Sequence, residues 1–227
     1  MDRLRRAAQY LQARLGLPGL LRREFGDDST ALVRAITEFA GGYFRPIQHE
    51  PEIVAALDQV RAHAPGVVLE IGTHWGGSLF LWTRVAASDA LIISADLPGG
   101  DFGGGYSEIR TPLYQSFARP EQTLHLLRVD SHLASTKEEV VRRLDGRLVD
   151  LAFIDGDHTY EGVKQDWEMY SGLVRPGGLV MFHDIASNYD RTQVARFWDE
   201  LKGGFTHWEY ASHPEKLYGI GVLQIPG

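Results

Sequence analysis

Five short apolar runs dominate the hydrophobic pattern between residues 66 and 184. They are VVLEI, LIISAD, TLHLLRVD, LVDLAFID and GLVMFHD, which begin at residues 67, 91, 123, 148 and 178. Runs that are apolar throughout predict strands covered on both faces, as in a parallel sheet. Three segments with helical periodicity, 77–87, 135–144 and 160–174, separate these apolar runs. This alternation predicts an α/β fold.

Further elements flank this alternating region. The tail, FTHWEYAS followed by HPEK and LYGIGVLQI, predicts a hairpin that adds an antiparallel edge to the sheet. Three helical segments come first, at about 2–15, 27–40 and 50–64. We predict a Rossmann-like, doubly wound, mostly parallel sheet of about seven strands with a C-terminal hairpin. Residues 1–65 are predicted to be a helical extension within the same domain as residues 66–227.

The first helix carries an apolar stripe formed by Leu4, Ala8, Leu11 and Leu15. We interpret it as a packing helix that ends at Gly16 and Pro18, rather than as a transit peptide, because it lacks Ser. The next two helices have stripes that either cover a cleft or pair two subunits. Those stripes are Leu32, Ile36 and Phe39, and Ile53, Leu57 and Val60. The sequence leaves open whether the chain forms a homo-oligomer.

Composition narrows the classes of partner. The 30 acidic and 23 basic residues give a formal charge of −7 over 227 residues, which argues against a nucleic-acid partner. No apolar run approaches the roughly 20 residues of a membrane helix, so we expect no membrane partner. The absence of cysteine excludes disulfides and thiolate chemistry and is consistent with a cytoplasmic location.

Carboxylates follow all five apolar runs at the end where each predicted strand stops. In open parallel sheets the ligand crevice lies outside these carboxyl ends, which predicts one shared cleft. For any single residue, capping of the next helix is the alternative, and for the second residue a turn before Pro98. The five carboxylates are Glu70, Asp96, Asp130, Asp155 and Asp184.

The turn LEIGTHWGGS follows the first run. Gly72 and Gly76 permit a tight turn and a close approach of the backbone to a ligand. The dinucleotide fingerprint G-x-G-x-x-G fails because His74 occupies its second glycine position, which disfavours a nicotinamide dehydrogenase. The E-x-G-x-x-x-G pattern resembles motif I of class I methyltransferases that use S-adenosylmethionine (SAM).

This resemblance implies SAM as the cofactor. In such enzymes the first turn holds the amino-acid end of SAM, the second strand end binds the ribose hydroxyls, and the third lies beside the adenine. A carboxylate can accept both hydroxyl protons of a ribose diol. The residues implied are Glu70, Gly72, Thr73, His74, Gly76, Ser78, Asp96, Leu97, Asp130, Ser131 and Asp155.

Asp155 and Asp184 end the fourth and fifth runs, which one helix connects. Neighbouring strands lie about 4.8 Å apart and Mg²⁺ binds oxygen at about 2.1 Å, so the two carboxylates can share one divalent cation. His183 either is a third ligand or faces the opposite side of the strand. A His ligand would shift the preference from Mg²⁺ towards Mn²⁺ and other transition metals.

The run FIDGDHTYEGVKQDWEMYSGLVRPGGLVMFHDI resembles cephalosporin-hydroxylase-like proteins and the sugar O-methyltransferases of antibiotic pathways. The resemblance implies that Asp155 and Asp184 are metal ligands and that His158 is the catalytic base. The sequence departs from the pattern at His183, where those relatives carry a glutamate. The alternative reading is that Asp157 and His158 only cap the next helix.

The glycine-rich segment 97–117 is too long for a plain connection, and we predict a mobile lid beside the site. Its candidate contacts with the acceptor are Tyr106, Arg110 and Tyr114, with an ordinary surface loop as the alternative. Asp157 either caps the helix or faces the acceptor.

The leading hypothesis is a SAM-dependent O-methyltransferase, assisted by Mg²⁺ or Mn²⁺. Its acceptor would be a small hydroxylated molecule such as a natural-product sugar, a diol or a phenol. The metal would help the acceptor hydroxyl to lose its proton to His158, and the alkoxide would attack the SAM methyl group. The alternative is an accessory protein of a biosynthetic pathway that binds SAM without transferring methyl groups.

Overall fold

A single sheet of seven strands organises the chain, of which a computed structural model describes residues 2–102, 105–215 and 217–227. The strand order is β3-β2-β1-β4-β5-β7-β6, with β1 to β5 parallel and β7 antiparallel to both of its neighbours. This confirms the predicted fold class. The strands are β1 (Val67–Ile71), β2 (Leu91–Ala95), β3 (Thr123–Leu127), β4 (Val149–Ile154), β5 (Val174–His183), β6 (Thr206–Tyr210) and β7 (Ile220–Gln224).

Helices cover both faces of the sheet. Side-chain caps fix two helix starts: Asp28 accepts a hydrogen bond from the Ala31 amide, and Thr159 accepts one from the Gly162 amide. Within the described residues no helix has the length and hydropathy to cross a bilayer. The helices are α1 (Asp2–Leu21), α2 (Ser29–Glu38), α3 (Glu50–His63), α4 (Gly77–Val85), α5 (Thr111–Gln115), α6 (Ala134–Leu144), α7 (Tyr160–Tyr170) and α8 (Val194–Leu201).

The core forms two layers because successive strand residues point to opposite faces. On one face, Val68 and Phe153 pack with residues of α1 to α4. On the other, Leu69 and Ile154 pack with residues of α6 to α8. The central runs of β1 and β2 are buried at every residue, as the sequence predicted, whereas most residues of the edge strand β3 are only partly buried or exposed.

Helix α1 differs from the prediction. It continues through Gly16 and Pro18 to Leu21, because Leu17 and Leu20 are buried in the core and their burial outweighs the cost of Pro in a helix. Its other stripe is not packed: Leu4, Leu11 and Leu15 are 80%, 55% and 73% exposed. The helix therefore packs on its own chain through Leu17 and Leu20, and not through the predicted stripe.

The stripes of α2 and α3 are used inside the chain. Ile36, Ile53 and Leu57 have no solvent exposure and belong to the core layer that covers the sheet. These two stripes are therefore not available for pairing two subunits.

Candidate active site

Two cavities open where the strand order reverses, between β1 and β4 at the carboxyl ends of the strands. This is the position at which open α/β sheets bind ligands. The β2-side cavity, about 280 Å³, is lined by Asp96 and Asp130 among others. The β5-side cavity, about 320 Å³, is lined by His183 and Asp184 among others. The two share Gly72, His74, Phe102 and Asp155, so they are parts of one cleft.

The β2-side cavity combines apolar walls with carboxylates. Its predicted members come from four strand ends, and three of the five strand-end acids, Asp96, Asp130 and Asp155, converge here. Their roles stay predictions. Ile71, Ala95 and Val129 add apolar surface. The predicted residues that line it are Gly72, His74, Asp96, Leu97, Asp130, Ser131, Asp155 and Asp157.

Asp96 organises the turn after β1. Its Oδ1 accepts hydrogen bonds from the amides of Thr73 (3.1 Å) and His74 (3.4 Å), and its Oδ2 accepts one from the Tyr106 amide (2.8 Å). Burial raises the pKa of Asp96, and these hydrogen bonds oppose that rise because they favour the carboxylate. One side chain thus holds the turn and the 97–110 loop against the same cavity.

The turn after β1 depends on left-handed backbone. Gly72 has φ 96°, and His74 has φ 44°, a conformation that non-glycine residues adopt infrequently. Gly76 has φ 80°, and a Cβ at this position would lie 2.7 Å from the ring of Tyr114. Gly76 therefore shapes the turn from behind, whereas His74 lines both cavities.

Glu70 lies away from both cavities. Its side chain is fully buried, with Oε1 accepting a hydrogen bond from the Trp82 indole and Oε2 one from the Ser94 hydroxyl. Burial raises its pKa to about 8. The described lining of the two cavities does not include Glu70, so its position does not support the predicted contact with a cofactor.

Two aspartates and two histidines form a cluster on the wall of the β5-side cavity. The Nδ1–H of His158 donates to Asp184 Oδ2 (2.7 Å), and the Nδ1–H of His183 donates to Asp155 Oδ1 (3.0 Å). Nε2 of His158 is 3.5 Å from Asp155 Oδ1. Asp184 has φ 64°, so the strand turns sharply at this residue. His183 therefore faces the cleft together with Asp184.

Charge pairing sets the pKa values of this cluster. Burial lowers the pKa of both histidines, but the carboxylates more than compensate. The pKa of His183 is raised to about 9 by Asp155 and Asp184, and that of His158 is raised by its bond to Asp184 and by both charges. Burial also raises the pKa of Asp184, but His183 and His158 bring it below its usual value.

The predicted metal ligands Asp155, His183 and Asp184 do come together, but their arrangement does not fit a divalent cation. Each carboxylate is engaged by an imidazole, and Asp155 Oδ2 also accepts a hydrogen bond from Gln48 (2.8 Å). Within the described part of the chain, no group of three or more His, Asp or Glu residues could hold a metal ion. This geometry therefore does not support the predicted metal assistance.

The three residues of the 97–117 segment that were predicted to contact the acceptor do not line either cavity. Tyr106 and Tyr114 are 3% and 0% exposed, and the Tyr114 hydroxyl donates to the His74 carbonyl. Arg110 donates to the Tyr43 carbonyl and to the Tyr114 hydroxyl. All three pack behind the turn after β1 instead of lining either cavity. Gly103 and Gly104 of this predicted lid lie outside the described residues.

Asp157 stands before α7 but is not its cap. Its Oδ1 accepts a hydrogen bond from the Thr159 amide (2.8 Å), and Thr159 is the N-cap residue. Gly162 makes room for it, since a Cβ there would lie 2.1 Å from the Asp157 carboxyl carbon. Asp157 lines the β2-side cavity, together with Asp96 and Asp130, and does not line the β5-side one.

The sequence analysis did not predict the other residues that line the β5-side cavity beside the histidines. The segment before α3 contributes Arg45 and Gln48, and the tail contributes Tyr218. Phe102 stacks on the His158 ring with 4.9 Å between centroids and an angle of 5°. No local signal identifies these residues, because Gln48 reaches Asp155 across 107 positions of sequence.

The sequence profile of the Methyltransf_24 family, described as a methyltransferase domain, matches residues 69–185. The match runs from β1 to the end of β5 and includes every strand end that lines the cleft. The chain belongs to this methyltransferase family. The uncharacterized protein y4gI of Sinorhizobium fredii is 30% identical over 147 residues, which are 63% of this chain and 16% of that protein. The chain thus spans less than a fifth of that relative's length.

Solved structures confirm the methyltransferase fold. The O-methyltransferase TomG from Streptomyces achromogenes, involved in tomaymycin synthesis and solved with SAM, has a TM-score of 0.58 at 17% identity and covers 96% of both chains. An O-methyltransferase from Bacillus cereus, solved with S-adenosylhomocysteine (SAH), has a TM-score of 0.57 at 18% identity, covering 88% of this chain and 91% of that one. These likenesses concern the fold.

Proposed function

We propose that the chain transfers a methyl group from SAM to a hydroxyl group of a small acceptor. Membership of the methyltransferase family is the observation that carries this proposal, and the divided cleft supports it. SAM would supply an electrophilic methyl group on its sulfonium. The acceptor class remains the one predicted from the sequence, a natural-product sugar, a diol or a phenol.

The β2-side cavity would take the adenosine part of SAM. Asp96 accepts three amide hydrogen bonds, two on Oδ1 and one on Oδ2, which leaves one lone pair on Oδ2 to accept a hydrogen bond from a ribose hydroxyl. Asp130 and Ser131 lie at the far end, between apolar residues suited to a purine ring. Thr73 and Ser78 line the β5-side cavity at the start of α4, where free amides favour a carboxylate.

His158 is our candidate base for the acceptor hydroxyl. Because its Nδ1–H donates to Asp184, the neutral ring carries its lone pair on Nε2, which is the nitrogen that must accept a proton. Asp184 would orient the ring and stabilise the imidazolium that forms. Phe102 covers the ring face and excludes water from it.

No step in this proposal uses a metal ion. The predicted ligands Asp155, His183 and Asp184 already pair with one another, as described above. We therefore expect turnover to survive EDTA. Loss of activity in EDTA that added Mg²⁺ or Mn²⁺ restores would instead support metal assistance as predicted from the sequence.

The proposal is tested in two steps. Calorimetry with SAH measures cofactor binding, and radiolabelled SAM with a panel of sugars, diols and phenols measures transfer. His158→Asn should lower kcat by about 10²- to 10⁴-fold at unchanged SAH affinity. His125→Asn, on β3 and outside both cavities, is the matched control.

Absence of SAH binding would overturn the cofactor assignment. Full turnover in His158→Asn would overturn the role of the base. SAH binding without transfer to any acceptor would favour the accessory-protein alternative.

A further inference from the structure

Arg45 belongs to a segment whose backbone is fixed against the start of α4. A Cβ at Gly77 would lie 2.3 Å from the Pro46 nitrogen and 2.5 Å from the Phe44 carbonyl oxygen. Such an approach is possible only because Gly77 has no side chain. The segment therefore forms a wall of the β5-side cavity, which Arg45, Pro46 and Gln48 line.

The guanidinium of Arg45 has no ion-pair or hydrogen-bond partner among the described residues. Its contact is with Trp75, where the guanidinium carbon lies 4.5 Å from the ring centroid. A stacked guanidinium keeps its N–H donors at the edge, free to bind an oxyanion. Arg45 is exposed at the mouth of the cavity, so a ligand can reach it from solvent.

The other charged groups on this cavity wall are already paired. Asp155 and Asp184 accept hydrogen bonds from His183 and His158. Arg45 thus adds a positive charge without a counter-ion to a cleft in which Asp155 and Asp184 are already paired with histidines. Its charge also reaches the cleft in a small way: burial is the main cause of the lowered pKa of His74, the charge of Asp155 opposes it, and Arg110, His158 and, least, Arg45 lower it further.

We propose that the acceptor of this methyltransferase carries an anionic group, a carboxylate or a phosphate, and that Arg45 binds this group at the mouth of the β5-side cavity. The proposal rests on the proposed methyl transfer and names its substrate class. Arg45 would select acceptors by charge, while Trp75 holds the guanidinium plane in place.

The test compares matched probes that differ in one group, titrated by calorimetry into the SAH-loaded protein. The pairs are 3,4-dihydroxybenzoate with 3,4-dihydroxybenzamide, glucuronate with glucose, and glucose 6-phosphate with glucose. We expect the anionic member of at least one pair to bind at least about tenfold more tightly than its neutral partner. The carboxylate and phosphate pairs separate the two sources of charge.

Three variants assign the preference to Arg45. Arg45→Gln should abolish it, Arg45→Lys should keep part of it, and SAH affinity should not change in either. Arg23→Gln is the matched control, because Arg23 is also exposed and stacks on an aromatic ring, that of Phe25 (5.0 Å), but does not line the cavity.

Equal binding within every pair, or no binding of any anionic probe, would overturn the proposal while leaving SAH binding intact. A preference that survives in Arg45→Gln would also overturn it. A fall in SAH affinity in that variant would do the same, because it would assign Arg45 to the carboxylate of the cofactor. Failure of SAH to bind to the wild-type protein would instead overturn the proposed function itself.

Discussion

Glu70 is a buried carboxyl group whose hydrogen-bond partners, Trp82 and Ser94, are neutral. Burial raises its pKa from 4.5 to about 8, so the folded chain keeps a proton that the unfolded chain has lost. The contribution of protonated Glu70 to the stability of the fold is complete below pH 4.5, the ordinary pKa of a glutamate, and is lost as the pH rises through about 8. The free energy of unfolding should therefore fall by about 1.4 kcal/mol per pH unit over most of this interval.

Urea unfolding of the wild-type protein and of Glu70→Gln at about pH 6 and about pH 8 measures this effect. Between the two pH values the free energy of unfolding of the wild-type protein should fall by about 2 kcal/mol more than that of the variant, because a neutral amide does not titrate. Glu121→Gln, at an exposed position, is the control and should follow the wild-type protein. Parallel pH profiles of Glu70→Gln and the wild-type protein would contradict the assignment.

The orientation of the Glu70 side chain could not be predicted from its position in the sequence. The apolar runs predicted that acids gather at the strand ends, and Asp96, Asp130 and Asp155 do line the cleft. Glu70, however, lies one residue before the end of β1 and contacts Trp82 of α4. Which way a side chain points at a strand end depends on the last backbone turn, and a spacing rule does not contain that information.

Gly77 connects the N-terminal segment to α4. A methyl group there would collide with the backbone at Phe44 and Pro46, which cannot rotate away as a side chain would. We expect Gly77→Ala to lower the free energy of unfolding by about 1–3 kcal/mol and to weaken acceptor binding, since the displaced segment carries Arg45. Chemical denaturation and the probe titrations described above measure the two effects.

Gly172→Ala is the matched control, because a Cβ at that position would have no neighbour within 4 Å. It should change the free energy of unfolding by less than about 1 kcal/mol. Wild-type stability and probe affinity in Gly77→Ala would show that the segment does not depend on this contact.

Elements differ in how far their sequence determines them. The strands were predicted because burial on both faces requires apolar residues throughout. The end of α1 was not, because the burial of Leu17 and Leu20 overrides Gly16 and Pro18. Nothing local shows that the 97–117 segment buries Tyr106 and Tyr114, since Tyr114 packs on Gly76 of a distant turn.

At the scale of the whole molecule, the order of the elements was enough to predict the sheet. Right-handed crossovers and the alternation of strands and helices leave few topologies, and the observed reversal between β1 and β4 is one of them. The site was predicted on its sheet side, at His158 and Asp155. The rest of its lining, which includes Gln48 and Tyr218, comes from segments near the two ends of the chain, and only the folded structure brings these together.

The stripe of α1 is an exposed apolar surface, and we expect it to pair two copies of the chain. Leu4, Ala8, Leu11 and Leu15 follow each other at intervals of four, three and four residues, the spacing of a coiled-coil seam, and Ala8 allows close approach. The other face of α1 is buried against its own chain at Leu17 and Leu20, so the stripe points outward.

Gel filtration with light scattering should give the mass of a dimer for the wild-type protein and of a monomer for Leu11→Glu, whose charge would be buried in the seam. Gln12→Glu adds the same charge beside the stripe and should stay dimeric. Since Arg5 and Arg14 flank the seam in both copies, their repulsion should make the dimer stronger as the salt concentration rises. A wild-type monomer at every salt concentration would rule out this pairing and leave the leucines without a partner.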